Sequence, residues 1–297
     1  MNPAKQDIRP VLAFVALWAA EEALTALVFG RMGLVQIVWT RFLLHLLLLL
    51  ALFGWRDAAS LWRTRRPGRQ LARAATMVGM PLCWQMGMQR GLSPATLMSV
   101  FWLAPLLILA LATLCLKERA SRRLWLATAL ACGGVFVLTG PHAVERPLLL
   151  VFPLGMALCF SLYMVLTRAL RDEPARTNLF YTGLGVCLLL APLLPARWVP
   201  PSAFDLAVLA GVATLGLGAL AALERMTASA PVSRSAPLVY LQIPFALGIG
   251  WSLEQYDPSL RMVGGLLLVL LLVGYAFRLG PRSVTRLAAD TGFGGLR

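Results

Sequence analysis

Two adjacent carboxylates, Glu21 and Glu22, stand in the middle of an apolar stretch from Val11 to Phe29, and the next apolar stretch, Gly33 to Leu52, carries Arg41 and His45. In a helix rising 1.5 Å per residue the glutamates lie about 15 Å into the first stretch, and Arg41 and His45 about 12 and 18 Å into the second, so all four share one depth. The i, i+4 spacing sets Arg41 and His45 on one face. Ionisable side chains at mid-membrane are disfavoured by roughly 2.5–3.5 kcal/mol and therefore face a cavity or a partner. The chemistry this set can perform is binding. A glutamate takes a proton or a cationic group of a solute, while Arg41 and His45 supply countercharge or hold a solute anion. Neighbouring helical residues point about 100° apart, so one of the two glutamates faces the pocket, and Glu22 is favoured. The competing reading is a Glu–Arg pair that only locks two helices together.

Gln85 lies about as deep in the third apolar stretch as Glu21 does in the first, with Gln89 one turn farther along. Trp84, Trp102, Tyr163, Tyr181, Tyr240 and Gln242 can add an aromatic and amide lining suited to planar or zwitterionic organic solutes. Lipid-facing packing is the plainer reading of any one of these aromatics. Pro105, Pro237 and Pro244 each delete a backbone donor, as does Pro231, and broken helix is tolerated at membrane depth where it lines protein or water. They are the candidate helix breaks and gates, against the alternative of kinked packing helices. Arg234 is close enough to a helix end to snorkel. The small residues Ala210, Gly211, Gly216, Gly218 and Ala219 allow close helix approach and read as packing.

No metal, cofactor or catalytic residue is expected. The five cysteines each sit inside an apolar block, with no C-x-x-C pair and no histidine at ligand spacing, which disfavours a disulfide framework, a zinc site or a redox motif. A membrane enzyme would need a box such as H-E-x-x-H or a nucleophile beside a base, and neither occurs.

The elements that must position these side chains are membrane helices. Of 297 residues 59% are hydrophobic and only 13% charged, where soluble chains are about 25% charged. The apolar runs are continuous rather than alternating, which excludes a β-barrel. Many approach the ~20 residues that cross a bilayer. Hydropathy and punctuation predict an all-α polytopic membrane protein of ten spans, near 11–29, 33–53, 72–89, 94–116, 124–139, 148–167, 178–195, 204–223, 227–253 and 260–277. With both termini cytoplasmic, 20 of the 27 Lys and Arg fall on inside segments and five on outside loops, the bias that cytoplasmic loops carry. Nucleic-acid binding is not expected despite the +14 charge, because no soluble stretch is long enough to mass it on one face. The first stretch reads as a retained anchor in the inner membrane rather than a cleaved leader. The basic tail lies against anionic lipid.

An internal repeat follows. Ser93-Pro94-Ala95, Pro105 and Leu116-Lys117-Glu118 are echoed by Ser229-Ala230-Pro231, Pro244 and Ser252-Leu253-Glu254, with 25 residues from Ser to Glu in both and an offset of 136. Five spans per half is an odd number, so the second copy is inverted, an architecture of secondary transporters. The halves are residues 1–141 and 148–278, with a tail at 279–297. Glu118 and Glu254 are read as gate-region or loop-ordering groups.

The stretch from Gly91 to Pro141, with Leu-Ser-Pro-Ala, Trp-Leu-Ala-Pro, Leu-Lys-Glu-Arg and Gly-Gly-Val steps, resembles the first repeat of EamA-type proteins of the drug/metabolite transporter superfamily. Ala228 to Phe277 resembles the second, with Ala-Pro-Leu-Val-Tyr-Leu-Gln-Ile-Pro at 236–244, though Ser252-Leu253-Glu254 replaces the usual Phe-Gly-Glu step. The resemblance implies ten helices around a central cavity and alternating-access transport of a small organic metabolite, with export coupled to protons. Carriers of this kind move amino acids, nucleoside-type metabolites such as S-adenosylmethionine, riboflavin or opines. The expected partners are a small-molecule substrate, protons and membrane lipids, with the chain a monomer or homodimer. Rival readings are a flippase for a lipid-linked or phosphate-bearing substrate, a membrane enzyme, and a non-transporting scaffold or channel.

Overall fold

Proline, serine and glycine punctuate the apolar runs into helices. Pro10, Pro67, Pro94 and Pro105 each occupy one of the first two positions of a helix, where the missing N–H has no intrahelical partner to lose. Ser93 accepts from the Thr96 N–H, and Ser202 with Asp205 forms a reciprocal capping box. The third long helix ends at Gly91, whose φ of +88° suits glycine. Gly91 N–H bonds the Met88 carbonyl and Leu92 N–H the Gly87 carbonyl, a Schellman end.

The computed structural model describes residues 7–54, 59–139, 146–194, 198–252 and 259–278, with Ser60 as backbone only. Glu254 and the 279–297 tail lie outside these. In chain order the helices are α1 (Arg9–Phe29), α2 (Leu34–Leu49, continued by a π turn Leu50–Gly54), α3 (Ala59–Trp62), α4 (Pro67–Gln89), α5 (Pro94–Phe101), α6 (Ala104–Cys115), α7 (Arg122–Thr139) and α8 (Val151–Ala169). They continue with α9 (Ala175–Leu190), α10 (Ala203–Ser229), α11 (Val232–Ser235), a 3-10 segment Ala236–Leu241, α12 (Gln242–Ser252) and α13 (Leu260–Arg278). There is no strand among the described residues.

Seven described stretches are long and apolar enough to cross a membrane: Arg9–Phe29, Leu34–Gly54, Pro94–Cys115, Arg122–Thr139, Pro147–Ala169, Ala203–Ser229 and Leu260–Arg278. The molecule is therefore a polytopic membrane protein. The remaining long helical stretches miss that threshold for physical reasons. Helix α4 carries Arg69, Gln70, Arg73, Gln85 and Gln89, α9 is only 16 residues, and α11–α12 is interrupted by the 3-10 segment. Boundaries differ from the hydropathy reading where they matter to the site. Helix α4 starts at Pro67 rather than near 72, which sets Arg73 well inside it instead of at its end, and α10 runs to Ser229 rather than stopping near 223, so the following helix starts at Val232 rather than near 227.

Without a hydrophobic drive between helices in lipid, close packing needs small residues at the contacts. A side chain added at Gly79 would meet Cys159 Sγ and one at Gly155 would meet Cys83 Sγ. Helices α4 and α8 thus run antiparallel, each thiol seated in the other helix's glycine notch. Gly211 and Gly218 of α10 receive Leu24 and Leu17 of α1, and Gly134 and Gly265 pack α7 against α13. The large interfaces come in matched sets: α1 on α10 and α4 on α8, α2 on α10 and α4 on α9, α12 on α1 and α6 on α8. Outward faces carry leucine, as at Leu114 and Leu271, suited to lipid.

Candidate functional site

A cavity of about 690 Å³ opens between α1, α2, α4, α5, α8 and α10, within the size range of small-molecule pockets. Phe29, Gly30, Leu34 and Pro94 lie at its mouth, where α1 ends and α2 and α5 begin, and Tyr163 and Leu223 lie toward the opposite end. The walls are largely apolar. Glu21, Glu22 and Arg41 are its charged lining residues.

Arg41 Nη1 pairs with Glu21 Oε1 at 2.6 Å. Its guanidinium lies 4.9 Å from the Phe42 ring centroid, and Gly216 of α10 leaves the space it fills. Glu21 is buried and neutralised by this contact. Glu22, the next residue around the helix, turns to α12, where its Oε2 accepts from Gln242 Nε2 at 2.6 Å. No salt bridge to Glu22 is found among the described residues, so the site holds two carboxylates against one guanidinium. Gln242 is 1% exposed and begins α12 just where the 3-10 segment ends.

The broken helices place that amide. Pro105 cannot donate to the Phe101 carbonyl, and the chain makes a turn at Trp102 and Leu103 before α6 begins. Leu106 N–H turns to the Leu103 carbonyl, and the Trp102 carbonyl that it leaves is taken up by Tyr240 Oη at 3.0 Å, with Cys132 Sγ at 3.8 Å, as broken membrane helices require. Pro237 lies in the 3-10 segment and Pro244 in the first turn of α12.

The sequence-selected residues therefore separate into two groups. Glu21, Glu22 and Arg41 come together in the cavity, and Gln242 touches it through Glu22. Trp84 and Tyr163 line the wall. Trp102 and Tyr240 do not: both are buried, with rings 5.9 Å apart, and brace the two broken helices to one another. His45 is 1% exposed and packs against α9 at Gly183, with Nε2 unpartnered, outside the lining. Its i, i+4 relation to Arg41 shares a face, but that face is wide enough to serve the cavity with one residue and α9 with the other. Gln85 is half-buried and outside the lining, because its neighbour Trp84 holds the inward direction. Tyr181 Oη donates to the Trp62 carbonyl, away from the cavity.

Sequence reasoning missed a second polar cluster. Arg73 pairs with Glu224 and also donates to the Asn178 carbonyl and, at 2.7 Å, to Thr182 Oγ1. Asn178 Nδ2 donates to Glu224 Oε2 at 2.9 Å, and Gln70 Nε2 donates to Asn178 Oδ1 at 2.7 Å. The signal that could have found it was Pro67, a helix-start residue that pulls Arg73 two turns into the helix.

Residues 10–140 match the EamA-like transporter family. The chain is 22% identical to an S-adenosylmethionine uptake transporter of Rickettsia conorii (strain ATCC VR-613 / Malish 7) over 255 residues, 85% of each chain. It is 22% identical to the protein of that name in Rickettsia prowazekii (strain Madrid E) over 210 residues, 70% of this chain and 71% of that one. A solved crystal structure superposes with a TM-score of 0.80 at 17% identity, covering 94% of this chain and 97% of its own, and so shares the fold.

Proposed function

The chain is an EamA-like transporter of the drug/metabolite transporter superfamily, and from that premise we propose that it moves a small organic cation bearing a planar ring across the cell membrane by alternating access. It is a transporter and not an enzyme. The observation that carries the substrate class is the charge imbalance of the cavity: Arg41 pairs with Glu21, while Glu22, held by the neutral Gln242 amide and beside the Trp18 indole, has no ion-pair partner among the described residues. An uncompensated carboxylate at membrane depth calls for a cation. The aromatic side chains of Trp84, Phe101 and Phe160 on the wall suit a planar group and a positive charge beside it. S-adenosylmethionine, the solute that names the rickettsial relatives, is a sulfonium joined to a purine nucleoside and has this chemistry.

The architecture in this reading is ten crossings as two inverted five-helix repeats, residues 1–141 and 148–278, with both termini cytoplasmic. The matched interfaces support it, since exchanging each first-half helix for its second-half counterpart turns α1 on α10 into α8 on α4. Glu22 binds either the solute cation or a proton, and this competition couples the two. Proton-driven export and the uptake that names the relatives are two directions of one exchange.

Counterflow in proteoliposomes tests the proposal. The parent protein is expected to exchange S-adenosylmethionine or another ring-bearing cation saturably, and Glu22→Gln to lower that exchange about a hundredfold, the loss of one charge-assisted contact of roughly 3 kcal/mol. Full saturable exchange by Glu22→Gln would remove the assignment. Gly216→Ala supplies a milder check, because its Cβ would stand 2.5 Å from Arg41 Nη2. The guanidinium tip must swing off Glu21, and counterflow is expected to fall about tenfold. Parent-like rates would mean that the Arg41 position is immaterial.

A further inference from the structure

We infer that the buried Arg73–Glu224 cluster is the gate that seals the cavity opposite its mouth and separates once in each transport cycle, an inference that rests on the cavity reading above. Arg73 lies six residues into α4, Glu224 five residues from the end of α10, Asn178 three residues into α9 and Thr167 two residues from the end of α8. All four positions are at the helix ends remote from the mouth. Tyr163 joins the two regions: it lines the cavity, and the Arg73 guanidinium sits 5.3 Å from its ring centroid.

The seam between the halves runs through this cluster. Arg73 and Gln70 come from the first half, and their partners Glu224, Asn178, Thr167 and Thr182 come from the second. A rocking of one half on the other breaks these contacts together, which gives a two-state element rather than a gradual one. Buried ion pairs add little net stability over apolar packing, and their best-attested use is in specifying or switching between states. Arg73 Nε, Gln70 Oε1 and Tyr163 Oη are buried without partners. Water admitted on opening can satisfy these groups, which offsets part of the cost of separation.

A second tie stands at the same end. Lys117 adopts the left-handed region with φ of 54°. Beyond it Glu118 accepts from the Val232 and Ser233 N–H groups at 3.1 and 2.8 Å and lies 3.5 Å from Arg168, which itself donates to the Thr227 carbonyl. Glu118 thus joins the first half to the start of α11 and to the ends of α8 and α10, closing the same face.

The test is the sidedness of labelling at a cavity position next to the gate. Thr76 lines the cavity three residues beyond Arg73. Thr76→Cys in full-length protein is treated with a membrane-impermeant maleimide applied separately to right-side-out and inside-out vesicles, with the unaltered protein and its native cysteines as blank. Labelling from the mouth side alone is expected. Adding Glu224→Gln is expected to raise labelling from the opposite side about tenfold or more, and Asn178→Ala about threefold in the same direction. Should Glu224→Gln fail to fold, Asn178→Ala decides. No rise from the opposite face in the folded variants overturns the gate. No labelling of Thr76→Cys from either side overturns the cavity reading itself, a result distinguishable from the first.

Discussion

Arg41→Ala is expected to abolish counterflow and to destabilise the protein by about 3–5 kcal/mol, because it strands Glu21 in an apolar surrounding with its charge unmatched. The pair is held at 2.6 Å with the two side chains 18% and 9% exposed, so water offers little relief. Thermal unfolding in detergent reads the stability term and proteoliposome counterflow the transport term. Adding Glu21→Gln to Arg41→Ala should return much of the melting temperature, since the stranded charge is gone, without returning transport. If Arg41→Ala melts with the parent, the ion pair is an incidental contact and Glu21 has another counterion.

Neighbouring glycines of α13 are expected to respond with opposite signs. A Cβ at Gly265 would lie 2.8 Å from Leu138 Cβ and 3.1 Å from its Cα, whereas one at Gly264 meets nothing within 4 Å. Backbone cannot give way as a side-chain tip can, so Gly265→Ala must part α7 from α13, at a cost of about 1–3 kcal/mol. Gly264→Ala removes a weak helix former from an exposed face and should be neutral or stabilising by up to about 1 kcal/mol. The pair of melting curves checks the α7–α13 interface directly. Equal melting temperatures would contradict the packing described for it.

Half of the charged site was legible because the membrane makes ionisable residues conspicuous. Glu21 and Arg41 announce themselves by depth, and two consecutive apolar stretches are enough to bring them level. The partner of Glu22 was only an unassigned member of the aromatic and amide set, because Gln242 is 220 residues away and its position depends on how two broken helices interlock. Trp102 and Tyr240 were sorted by residue type into the lining, yet the Trp102 carbonyl, left free where the helix breaks and Leu106 N–H turns to Leu103, claims the tyrosine hydroxyl, and no pattern in one chain reports that claim. His45 and Gln85 show the limit of helical periodicity: it fixes a face without fixing what lies opposite. Arg73 was hidden by the same rule that oriented the chain, since basic residues near a span end are counted as loop, and Glu224 was hidden among the small and apolar residues of α10. Its depth, about 8 Å from the helix end, was the available clue.

The glutamate left without a cation has an electrical consequence. When a monovalent solute leaves that carboxylate on one side and a proton takes its place on the return, each turnover moves equal and opposite charge, and membrane voltage drops out of the driving force. The pH difference alone then limits accumulation, at about tenfold per unit, and a potassium diffusion potential imposed on the vesicles should leave the rate of exchange untouched.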